Sequence, residues 1–150
     1  MARFRFRLEA SLRLAEQALE TVQREFAQVM QLWKTLVEAC QLQQERYNDA
    51  QEGQREAGRY RPEELGMYQL FASEQQRRLH QCKIELRKQV LIMENTRSIL
   101  LEAHREVEKF ERLKEKQTKA FQLAELQQEQ KILDETGQVL HWRQKIVKTI

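Results

Sequence analysis

The sequence predicts an all-α fold, a long two-helix antiparallel coiled-coil hairpin whose second helix is longer than its first. Three observations carry this. Apolar residues recur at alternating steps of three and four along most of the chain. The one break in that pattern, Gly53 to Pro62 (GQREAGRYRP), holds two of the four glycines and the only proline. Composition is the third: 33% of residues are charged and only 7% aromatic, with Ala, Glu, Lys, Leu, Arg and Gln prevailing over strand-forming residues. So polar a chain cannot fill a round core, but a two-helix seam needs only about two apolar positions in seven.

The first helix is expected over about 8–52. Its seam reads Leu8, Leu12, Ala15, Leu19, Val22, Phe26, Val29, Trp33, Leu36, Cys40, Gln43, Tyr47, Ala50, in which Gln43 alone is strongly polar. A heptad phase held this long is a strong coiled-coil signal. The turn is expected over about 53–62, with Gly53 or Gly58 supplying a left-handed helix-ending residue. Pro62 then opens the second helix, because its missing N–H falls among the unbonded first-turn donors. Glu63 and Glu64 place carboxylates at the positive end of the new helix dipole.

The second helix, about 62–136, carries a less regular seam: Leu65, Tyr68, Ala72, Gln75, Leu79, Cys82, Leu86, Gln89, Met93, Thr96, Leu100, Ala103, Val107, Phe110, Lys114, Gln117, Phe121, Ala124. Apolar residues beside it, among them Met67, Leu70, Phe71, Leu91, Ile92 and Ile99, make the stripe wider than pairing requires. A turn near residue 60 sets Leu8 opposite residue 112 or so. The segment from about 113 is therefore expected to overhang without an intramolecular partner, as a docking surface or a site of self-association. Gly137 is expected to end this helix. The tail 137–150 then places Val139, Trp142, Ile146 and Ile150 at helical spacing among Arg143, Lys145 and Lys148, a short basic amphipathic piece or a flexible end. All of this forms one hairpin domain, 1–150.

Charge narrows the function classes. The 26 basic and 23 acidic residues alternate, as on solvated helix faces. Several form pairs at four-residue spacing: Glu9–Arg13, Glu20–Arg24, Glu74–Arg78, Glu108–Arg112 and Glu115–Lys119. Nucleic-acid binding calls for a one-sided basic stripe, and none is present. No apolar run reaches the ~20 residues of a membrane span, so membrane contact is peripheral at most. Cys40 and Cys82 fit no metal spacing; they read as reduced thiols in a cytoplasmic protein, brought opposite each other by a turn near residue 61. His80, His104 and His141 are isolated, and no nucleophile with a base, paired carboxylates or phosphate loop stands out. The reading is a non-enzymatic protein with no catalytic or metal residues and no cofactor.

Three stretches together resemble one family: FRFRLEASLRL (Phe4–Leu14), KFERLKEK (Lys109–Lys116) and EQKILDE (Glu129–Glu135). In order and spacing they are similar to the flagellar export protein FliJ, and the likeness covers essentially the whole chain. The resemblance implies a stalk-like coiled coil of the flagellar type III export apparatus. It would link the export ATPase hexamer to the cytoplasmic domain of the export gate, escort export chaperones, and sit at the cytoplasmic face of the bacterial inner membrane. Flagellum assembly, and so motility and chemotaxis, would depend on it. It also implies contacts with the ATPase ring through Phe4, Arg5, Phe6, Arg7, Phe110, Leu113, Lys114, Lys116, Phe121, Gln130, Asp134 and Glu135. Gate contact would fall to Tyr47, Tyr68 and Phe71, although Gln43 and Gln75 stand where that patch is otherwise more apolar. The alternatives are the equivalent stalk of a virulence injectisome and a structural scaffold that dimerises.

Overall fold

A computed structural model describes residues 3–149. Among these the fold is all-α, a helical hairpin. Helix α1 runs Glu9–Tyr60 (52 residues) and α2 runs Leu65–Thr149 (85 residues), joined by Arg61 and one 3-10 turn, Pro62–Glu64. The contacts divide the chain into two compact units. One takes the chain to Glu16 together with the part from Arg105 onward; the other takes Gln17–His104.

In the Gln17–His104 unit the heptad seam is built as the pattern predicts. Every predicted seam residue there, from Leu19 to Ala50 and from Leu65 to Ala103, is buried or half-buried. The helices are antiparallel: Gln43 meets Gln75, and a step back along α1 to Val29 is matched by an equal step along α2 to Gln89. The seam is thin, so no large side chain is fully enclosed. Its most buried polar groups are three glutamines. The Gln43 side-chain amide donates to Gln75 Oε1 at 2.7 Å and to the Gln75 carbonyl at 3.2 Å, and the Gln89 amide donates to the Val29 carbonyl at 3.3 Å. These bonds offset the cost of placing amides among apolar neighbours.

The turn is shorter than expected. Gly53 and Gly58 lie inside α1, and no glycine among the described residues has a positive φ. The break falls at Arg61 (φ −140°, ψ 59°), because the ring of Pro62 excludes its predecessor from helical backbone. Arg61 N–H still closes α1 on the Ala57 carbonyl at 2.8 Å, and Glu64 N–H bonds the Arg61 carbonyl at 3.0 Å. The Arg61 guanidinium lies 5.9 Å from the centroid of the Tyr68 ring and 3.8 Å from the Glu64 carboxylate. Gly53 serves close packing instead, since a Cβ there would touch the Tyr68 ring at 3.5 Å.

The other unit corrects the expected overhang. Residues 3–8 precede α1 and pack on α2: Phe6 is buried, and the Phe4 and Phe121 rings lie 5.5 Å apart at 42°. Glu9 pairs with Lys114 at 2.9 Å and not with Arg13; the other four predicted four-residue pairs form. Leu113, Lys114, Thr118 and Phe121 are half-buried, so the unpartnered stretch starts at Leu126, not near 113. The predicted seam positions Gln117 and Ala124 are exposed, and Thr118 and Glu125 are half-buried in their place. Two steps of four in succession, 110 to 114 to 118, make a stutter that moves the seam across the helix face.

Gly137 also fails to end α2, which continues to Thr149. One exposed glycine costs about 1 kcal/mol against alanine in a helix, and the helix formers around it carry the helix past. Ile150 lies outside the described residues.

Burial first, and then the neighbouring Cys82 thiol, raises the pKa of the half-buried Cys40. The two thiols are neighbours across the seam, as a turn near residue 61 requires. Treating the protein with diamide should therefore give a crosslink within one chain, seen as a faster band at monomer mass on a non-reducing gel. Crosslinking only between chains would contradict the register. The glutamine pair gives a second test. Gln43→Leu leaves Gln75 Oε1 buried without a donor and should cost about 1–3 kcal/mol, read as a lower urea midpoint at unchanged m-value. Replacing both Gln43 and Gln75 with leucine should restore most of that loss.

Candidate functional site

Among the described residues no three His, Cys, Asp or Glu side chains gather as a metal would require, and no helix is long and apolar enough to cross a membrane. Functional surface must be sought where the seam leaves apolar groups unpaired. Each unit has such a region.

In the Gln17–His104 unit it lies beside the turn. Tyr68, at a seam position, and Phe71, one position outside the seam, flank a shallow groove of about 440 Å³ lined also by Arg46, Asp49, Ala50, Gly53 and Gln75. On their other side a second depression of about 350 Å³ is lined by Glu64, Met67, Tyr68 and Phe71. Phe71 is 55% exposed and Met67 and Leu70 are each 75% exposed, a costly display of apolar surface for so small a region. The three candidates for gate contact thus differ. Phe71 and Tyr68 share one surface. Tyr47 is half-buried, its hydroxyl accepting from Gln51 Nε2 at 2.7 Å, and it lines neither depression. Gln75 forms the floor of the first groove while its side chain is committed to Gln43, so a polar residue there serves the seam.

Sequence reasoning missed Gly53 and Ala50 as parts of this surface. The available signal was their size: Gly53 leaves room for the Tyr68 ring, which a Cβ would touch at 3.5 Å, and the small Ala50 lines the same groove. Met67 and Leu70 were visible as apolar residues outside the seam.

In the unit containing the termini, the ring-contact candidates fall into two groups. Phe6 is buried, and Phe4, Phe110, Leu113, Lys114 and Phe121 are half-buried, so they hold the N-terminal arm against α2. Arg5, Arg7, Lys116, Gln130, Asp134 and Glu135 are exposed and free to meet a partner. Gln130 Nε2 donates to Asp134 Oδ1 at 3.2 Å. From Leu126 to Thr149 every residue is exposed.

One carboxylate near the first surface is strongly perturbed. Hydrogen bonds from the Arg77 guanidinium, with a further one from Arg78, hold Glu74 at a pKa of about 2, against 4.5 for an ordinary glutamate. The Arg77 bonds measure 2.7 and 3.1 Å and the Arg78 bond 3.2 Å. A depressed folded-state pKa means stabilisation that is fully present above about 4.5 and is lost as pH falls through about 2. Carbon-detected NMR of the Glu74 carboxyl should show a midpoint near 2, moving up toward the ordinary value in Arg77→Ala. An unshifted midpoint in the wild-type protein would remove the ion pair as a fixed feature in solution.

With the geometry in place, comparison with known proteins is informative at one level. No curated protein and no solved structure matches the chain. The family described as "Flagellar FliJ protein" matches residues 4–145, a span that includes the N-terminal arm, both helices and most of the exposed end of α2. The match is to the flagellar family, in agreement with the resemblance carried by Phe4–Leu14, Lys109–Lys116 and Glu129–Glu135. The chain belongs to the FliJ family and is a component of the flagellar type III export apparatus.

Proposed function

We propose that the protein is the stalk-like coiled coil that links the export ATPase ring to the cytoplasmic domain of the export gate, without catalysis of its own. In this reading it also escorts export chaperones and works at the cytoplasmic face of the inner membrane, in support of flagellum assembly, motility and chemotaxis. The observation that carries the reading is that, in a chain of this family, each of the two compact units has an exposed surface of its own. One is the aromatic surface of Tyr68 and Phe71 beside the turn. The other is the exposed charged set of Arg5, Arg7, Lys116, Gln130, Asp134 and Glu135 in the unit with the termini. A narrow seam that, among the described residues, fully encloses no large side chain favours a mechanical or docking role over chemistry on a small molecule.

The test uses exposed residues, so that folding is untouched. Phe71→Ala should weaken binding to the gate's cytoplasmic domain at least about tenfold, as loss of an aromatic anchor does, and leave ATPase binding unchanged. Lys116→Glu with Asp134→Lys should do the reverse. Circular dichroism should show unaltered helix content in both. If neither variant separates the two interactions, or if the wild-type chain binds neither protein, the linking role is lost.

A further inference from the structure

The end of α2 carries a pattern that neither the hairpin seam nor the stalk reading uses. From Leu126 to Thr149 every residue of the helix is exposed, apolar ones included, Trp142 by 68% and Val147 by 73%. All of these apolar residues but Trp142 nonetheless keep strict heptad spacing. Leu126, Leu133, Leu140 and Val147 form one column; Ile132, Val139 and Ile146 form another. At about 100° per residue the two columns flank a third, composed of Glu129, Thr136 and Arg143.

We propose that residues 125–147 pair antiparallel with the same residues of a second copy of this chain, about a two-fold axis at Thr136. The central and first columns read the same way under that operation, and so does the second except for Ile146, which comes opposite Glu125. In the central column Thr136 meets Thr136 of the other copy, and Glu129 meets its Arg143, twice. In the first, Leu126 faces Val147 and Leu133 faces Leu140. In the second, Ile132 faces Val139. The flanking charge follows the same symmetry. Before Thr136 the segment from Glu125 holds four acids, Glu125, Glu129, Asp134 and Glu135, with Lys131 alone opposing them; after it come Arg143, Lys145 and Lys148 and no acid. Antiparallel pairing sets the acidic half of each helix against the basic half of the other. Parallel pairing would set Glu129 on Glu129 and Arg143 on Arg143, which costs energy.

The repeat length favours a helix over a lipid surface as the occupant. A strict seven-residue column drifts about 20° per heptad around a straight helix. A second helix follows that drift by supercoiling, whereas a flat bilayer does not. An isologous contact of this kind also closes on itself, giving a dimer and not a filament.

The test is a charge exchange in the full-length chain, read by analytical ultracentrifugation. The wild-type chain should show a reversible monomer–dimer equilibrium. Glu129→Arg alone, or Arg143→Glu alone, should raise the dimer dissociation constant at least about tenfold by bringing like charges together. The two changes combined should return it to within about threefold of wild type, because the exchanged pair is again complementary. Both positions are exposed, so circular dichroism should show equal helix content throughout. A wild-type chain that stays monomeric, a dimer indifferent to the single changes, or a double exchange that fails to restore pairing would each overturn the proposal. So would a monomer that binds phosphatidylglycerol vesicles and releases them on Arg143→Glu, which would assign the face to a lipid surface.

Discussion

The bond from the Gln43 amide to Gln75 Oε1, 2.7 Å long inside an otherwise apolar seam, constrains the hairpin more than any hydrophobic contact does. Apolar seam residues are nearly interchangeable, so a shift of one heptad would bury almost the same surface. A buried amide is not interchangeable. Slipping α1 against α2 by a heptad would leave the Gln43 and Gln75 groups without partners, at about 1–3 kcal/mol for each unmet group. The Gln89 amide on the Val29 carbonyl adds a second such constraint in the same register. A single buried polar residue fixing coiled-coil register is the best-attested use of such groups. Here the register decides which small residues lie opposite Tyr68, and therefore whether the groove beside the turn exists at all.

Much of this was legible because a seam is a periodic object. Leu8 and the twelve predicted positions on α1, together with the α2 positions from Leu65 to Lys114, are all buried or half-buried. The failures have local causes that periodicity cannot register. Gly53, Gly58 and Gly137 suggested helix ends, but a glycine permits a break without compelling one, whereas the ring of Pro62 compels one at Arg61. Gln117 and Ala124 were misplaced because a stutter leaves each neighbouring heptad intact and shows only in what faces the helix. The N-terminal arm was missed as a packing element since residues 3–8 have no helical period to follow; the partner of Phe4 is Phe121, far off in sequence.

That arm changes how the end with the termini should be understood. An unpaired helix is marginal in water, and the expected overhang from residue 113 would have been a long one. Phe4, Phe6 and the Glu9–Lys114 ion pair cover α2 as far as Phe121, so the aromatic members of the proposed ring contact already have an intramolecular task. Removing them would damage packing and partner binding together. The exposed polar members are the informative ones for any interaction.

Beyond Leu126 the same helix presents two faces, and they need not compete. Glu129, Thr136 and Arg143 lie along the centre of the apolar face. Gln130 and Asp134, joined by their own hydrogen bond, lie well round the helix from that column at about 100° per residue. A copy of the chain seated on the apolar face would leave Gln130 and Asp134 open to a different partner. Glu135 lies nearer the boundary, beside the column of Ile132 and Val139, so it alone of these three would be shared. Substitutions at Asp134 therefore speak to the ring contact, and substitutions at Glu129 and Arg143 speak to self-pairing, although the positions stand only a few residues apart in sequence.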